Sequence, residues 1–222
     1  MSIPLMQALS IMRPWPGRWA AAAGVTAAAL LPCAANAQWL DYAQLDVAAS
    51  ATTVVLVTAV GKGAAEQPPP IVSATYTRWS TGEAAGAGYV YRWALPLETQ
   101  HWLVGVGVGV NANRSWPPSD TLNDSAITAR AQSEWFGPAP GGSYYALAQV
   151  SSYRKTWLAT AQYTLADQPL SFEWTRYHER GYQSTAVGVR VATGAARWFV
   201  RLGVSRGNGE TGPYVGIVYN GF

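Results

Sequence analysis

Only 12% of the 222 residues are charged, about half the share of an ordinary globular chain, so the ionisable residues can be weighed one at a time. Catalysis is the first chemistry to test. A general base needs a neighbour that orients it, and the chain has two histidines, His101 and His178. Neither sits in a His-x-Ser arrangement, because Leu103 and Arg180 occupy those positions. No catalytic residue is therefore assigned, and an activity would have to be sought at His178 with Glu173 or Glu179. Gly105-x-Gly107-x-Gly109 is no nucleotide fingerprint, since it lacks the strand-turn-helix setting that lays phosphate on a helix N-terminus. A single cysteine, Cys33, makes no thiolate set, so neither a metal nor a cofactor is expected.

Anion recognition is the second chemistry, and arginine suits it. Arg92, Arg130, Arg190, Arg197 and Arg201 share strand parity with Asp46, Glu134 and Glu173. If that shared face lines a lumen, two outcomes follow. The charges can pair and knit the wall, because charges in a narrow space are expensive unpaired. Or surplus arginines can form a basic track for anionic, uronate-type solutes. Arg190, Arg197 and Arg201 fall on two consecutive expected strands with no acid on either, which favours the track.

The elements that would position these residues are strands. Residues 101–112, HWLVGVGVGVNA, set Trp102, Val104, Val106, Val108, Val110 and Ala112 against Gly105, Gly107, Gly109 and Asn111. That is the strand period. A soluble sheet would place polar residues opposite the valines; here the opposite face is almost bare glycine. The valine face is expected in lipid, and the glycine face in a lumen where it leaves room for bulky side chains. On this reading Val106→Arg is disruptive and Gly107→Ser is mild. The alternation recurs at 86–95, 125–136, 170–178, 183–192 and 196–205, separated by turn signals such as GAAEQPPP (63–70) and GPAPGG (137–142). NRSWPPSDTLND (113–124) is the longest clear loop. With candidate strands at 40–49 and 52–61 the count is twelve; without them it is ten. The expected fold is all-β, an antiparallel transmembrane β-barrel of about 12 strands over residues 38–222. Tryptophans at strand ends would form interfacial girdles.

Residues 1–37 read as a signal peptide. Arg13 and Arg18 make the positive region, residues 20–31 the apolar region, and Ala35-Asn36-Ala37 the small-x-small cleavage site. The apolar run is too short to span a bilayer. Leu30-Leu31-Pro32-Cys33 resembles a lipobox, with proline where a small residue is usual. Cleavage after Ala37 removes the cysteine and lowers the formal charge from +3 to about +1, which leaves no basis for nucleic-acid binding.

With its signal peptide, dyad strands and C-terminal Phe222, the chain resembles the bacterial outer-membrane β-barrel class. That resemblance implies an outer-membrane location and recognition of Phe222 by the barrel-insertion machinery. The alternate positions before Phe222 are Asn220, Val218, Gly216 and Tyr214, of which Asn220 and Gly216 depart from the apolar pattern. In size and in its Trp/Tyr-rich strands it is also similar to YaiO-type barrels of exopolysaccharide systems. The resemblance implies a small channel or export conduit for exopolysaccharide or anionic saccharide. A plugged structural or adhesive barrel is the alternative, and a lipid-modifying barrel enzyme the third reading. Arg154, Lys155 and Arg180 are expected near outer loops, where they can pair with lipopolysaccharide phosphates.

Overall fold

The structure, a computed structural model, describes residues 40–48, 51–61, 67–97, 100–116, 123–195 and 197–221. The expected signal peptide and Phe222 lie outside these residues. Twelve strands follow one another: β1 (Tyr42–Ala48), β2 (Ala51–Ala59), β3 (Ile71–Trp79), β4 (Gly82–Leu95), β5 (His101–Ser115), β6 (Asp124–Ala139), β7 (Gly142–Ser151), β8 (Thr156–Leu165), β9 (Leu170–Glu179), β10 (Tyr182–Ala192), β11 (Trp198–Gly207) and β12 (Glu210–Asn220). Each pairs antiparallel with the next, and β1 closes on β12 with Tyr42 opposite Asn220 and Ala48 opposite Tyr214. Closure leaves no unpaired edge, and it settles the count at twelve rather than ten.

The barrel is inside-out by soluble standards. Val108 is 60% exposed and Ile127 83% exposed on the outer surface, while Arg201 is 5% exposed on the inner one. β5 carries the contrast in one strand: its valines face out, and Gly109 faces Arg130. At β4–β6 the strands run to 14–16 residues, longer than the roughly 9–11 a tilted strand needs to cross a bilayer. On the outer surface Trp102 stacks on Trp135 at 5.8 Å near one barrel end, and at the same end, on a distant pair of strands, Trp198 meets Tyr219 tilted at 5.2 Å. Trp157 stacks on His178 near the other. Trp174 departs from the girdle, lying mid-strand in β9.

Several boundaries move. The expected loops at 113–124 and 137–142 shrink, because β5 runs to Ser115 and β6 runs from Asp124 to Ala139. Only Pro140 and Gly141 then separate β6 from β7, with Gly141 at a left-handed φ of 75°, which glycine accepts freely. Between β3 and β4 only Ser80 and Thr81 turn the chain. The longest connection between strands, residues 60–70, lies at the end where β1 begins and β12 ends. Its three prolines cannot donate to a ladder, so pairing stops and the chain continues alongside β4. Finally, Tyr214, Gly216 and Val218 line the interior: Tyr214 donates to Glu173, Gly216 abuts Asp46, and Val218 is fully buried. The alternate positions before Phe222 therefore lie on the lumen face, and Val215, Ile217 and Tyr219 take the outward one.

Candidate functional site: the charged lumen

Three side-chain networks occupy the lumen. The first centres on Glu173 of β9. It accepts from Arg190 Nε at 2.8 Å, from Arg201 Nε at 2.8 Å and from the Tyr214 hydroxyl at 2.7 Å. Arg201 turns NH1 to Asp46. Arg190 donates to the Tyr42 hydroxyl at 3.1 Å, Tyr42 donates to Gln44 Oε1, and Gln44 donates to Asp46. Glu173, Arg190, Tyr42, Gln44, Asp46 and Arg201 thus form a closed ring.

Local structure explains why the ring can close. Tyr42, Gln44 and Asp46 are alternate residues of β1 and share one face. β12 lies between β1 and β11, and Asp46 sits opposite Gly216 of β12. A Cβ at that glycine would fall 2.1 Å from Asp46 Oδ1. Only a bare backbone lets the carboxylate lie across β12 and reach Arg201. Glu173 and Arg190 are 8% and 9% exposed, so their desolvation is offset by full pairing.

A second network lies on β4, β6 and β7. Arg92 reaches Glu134 at 3.2 Å and folds back on the Pro69 carbonyl at 2.9 and 3.1 Å. Gln132 donates to Glu134 at 2.8 Å and Tyr145 at 3.5 Å.

Arg130 of β6 is different. Its guanidinium lies over Gly109 of β5 and Gly88 of β4, a directly paired couple. It donates to Asn111 Oδ1 at 3.1 Å and reaches Ser73 Oγ at 3.4 Å. Its Nε is buried and has no partner, and no carboxylate pairs with it among the described residues. The glycines of β4 and β5 are the floor on which this side chain lies.

Alternation brings Arg92, Arg130, Glu134, Glu173, Arg190 and Arg201 to the lumen as expected. Arg197 is the correction. It is exposed, at φ 73°, in the turn before β11, because the hairpin spans Thr193 to Arg197 and β11 begins one residue later. The three-arginine basic track is likewise not formed. Arg190 and Arg201 do face each other across β10 and β11, but Glu173 on the neighbouring β9 pairs with both. Alternation puts Gln44, Asn111 and Gln132 on the lumen face but does not show that they partner its charges, and the partners Ser73 and Tyr214 are not assigned from the sequence. His178 faces outward onto Trp157, while Glu173 and Glu179 face inward, so the one acid-histidine set open to catalysis is not assembled. His101 stacks on Phe136 at 5.0 Å.

No protein-family model and no curated protein matches the chain. Among solved structures it is similar to the KdgM porin, at 11% identity and TM-score 0.51, over 81% of this chain and 97% of that one. A KdgM porin in complex with disordered oligogalacturonate matches at 11% identity and TM-score 0.50, over the same shares. The NanC porin matches at 14% identity and TM-score 0.50, over 82% and 99%. The fold is that of the bacterial outer-membrane β-barrels. At these identities the likeness is one of architecture, and the lumen chemistry is this chain's own.

Proposed function

We propose that the protein is a small outer-membrane channel for short anionic saccharides, in which Arg130 meets the solute's carboxylate. One observation carries this reading: of the four lumenal arginines, Arg130 alone has no carboxylate partner among the described residues. Arg92, Arg190 and Arg201 are matched by Glu134, Glu173 and Asp46, so among the described residues Arg130 is the lumenal arginine whose charge no carboxylate takes up. Its Nε is buried, but its terminal nitrogens bond only the neutral Ser73 and Asn111; a guanidinium so placed forms charge-assisted bonds to a carboxylate, and a fixed cation in a narrow bore sets ion preference. The structural neighbour that holds oligogalacturonate is a barrel of the same architecture. Planar-bilayer recordings test the reading: the wild type should conduct with anion preference and be blocked by galacturonate oligomers, and Arg130→Gln should lose both properties while still inserting.

The plugged structural barrel is the second reading, and the closed ring favours it. Its side chains pair the charges of Arg190 and Arg201 and tie β1 to β9, β10 and β11 across the closing seam. A wild type that inserts but carries no current, with or without Arg130, would decide for this reading.

A further inference from the structure

At the barrel end opposite both termini, Arg154, Lys155, His178 and Arg180 line a cleft of about 410 Å³. We infer that this cleft binds the phosphate of an outer-leaflet glycolipid headgroup. The backbone builds it. Arg154 and Lys155 are consecutive residues at φ 47° and 52°, an uncommon conformation for side chains of this size. They are held there because Thr156 Oγ1 donates to the Tyr153 carbonyl and the Arg180 amide donates to the Arg154 carbonyl at 2.9 Å. Arg154 is further fixed by Asp124 at 3.1 Å. That acid takes up the charge of Arg154, and Glu179 is turned inward to Tyr177. Neither acid pairs with Lys155, His178 or Arg180 among the described residues.

Position argues for a lipid rather than a free anion. His178 lies on the outward face and stacks on Trp157 at 5.8 Å, and the Arg176 guanidinium lies over the same indole at 5.7 Å. An indole at the membrane boundary marks headgroup depth. The cleft thus opens beside the level at which a lipid carries its phosphate, with lysine, imidazole and guanidinium donors facing it.

The test uses the refolded barrel in detergent with lipopolysaccharide, its dephosphorylated form and inorganic phosphate as probes. Binding is read by the shift in heat-modifiable unfolding midpoint with probe concentration. Lys155→Asn with Arg180→Gln removes two charges, and asparagine tolerates the left-handed conformation at 155. The expected result is stabilisation by lipopolysaccharide, apparent affinity about tenfold weaker in the double variant, and little effect from the dephosphorylated form. Protection by inorganic phosphate equal to that by lipopolysaccharide would overturn the lipid assignment. Equal affinity in wild type and double variant, both folded, would overturn the site.

Discussion

Two walls of one lumen use the same residue type for opposite purposes. On β9–β11 two arginines face each other directly, yet both are tied to Glu173, and the ring continues through Asp46, Gln44 and Tyr42 on β1. On β4–β6 one arginine lies on paired glycines with a buried Nε left over. In the first wall each arginine is paired with a carboxylate across the closing seam, with only Asp46 Oδ1 left without a partner; in the second the arginine has no carboxylate among the described residues. What separates them is whether a carboxylate lies within side-chain reach, not how many arginines a strand carries.

Breaking the first wall should have the largest effect. Glu173→Gln leaves Arg190 and Arg201 facing each other with a single acid, Asp46, which reaches only Arg201. Removing one partner of a buried charge network costs about 3–5 kcal/mol. A urea titration in detergent should show the midpoint fall by that order, far more than for Arg130→Gln. Equal losses in the two variants would mean that the two walls do not differ in kind.

How much of this was legible in the sequence follows from what alternation can encode. Period two assigns a face, so the inward placement of Arg92, Glu134 and Glu173 and the outward placement of Val106 and Val108 could be read directly. It does not assign a neighbour, because partners in a barrel lie on other strands at heights set by register. Arg190 and Arg201 therefore read as unpaired on their own strands, although Glu173, opposite Gly188, is one strand from Arg190 and two from Arg201. Nor does it locate the strand end: Arg197 has the right parity but falls in the hairpin. The glycines were read as room for larger side chains, and that is what they provide, though what fills the space could be seen only from the pairing of Gly88 with Gly109.

The second wall can be probed from both sides of β5. Val106→Arg places a charge on the lipid face at a cost of roughly 2–4 kcal/mol near the midplane. Gly107→Ser, mild on the reading of the sequence, is not mild in the structure. A Cβ there would sit 2.0 Å from the Tyr89 carbonyl oxygen, a backbone atom that cannot step aside. Overpacking of this kind costs about 1–3 kcal/mol. Refolding yields into lipid should rank wild type first, Gly107→Ser next and Val106→Arg last. A serine variant as robust as wild type would show that β4 and β5 separate more easily than their register implies.

The smallest structural change gives the sharpest comparison. At Gly88 the three nearest atoms a Cβ would meet all belong to Arg130, with NH1 at 2.2 Å. Alanine there pushes on the far end of a flexible side chain and leaves the lumen charge unaltered. It also recovers about 0.5–1 kcal/mol of backbone entropy relative to glycine in a strand, so stability should change by less than about 1 kcal/mol. The guanidinium, however, must leave its glycine floor and its contacts with Ser73 and Asn111. If the position of Arg130 sets anion preference, Gly88→Ala should shift the reversal potential in the same direction as Arg130→Gln, by a smaller amount. Preference that vanishes in Arg130→Gln but is untouched in Gly88→Ala would mean that only the charge counts, and that the floor of paired glycines has no part in selectivity.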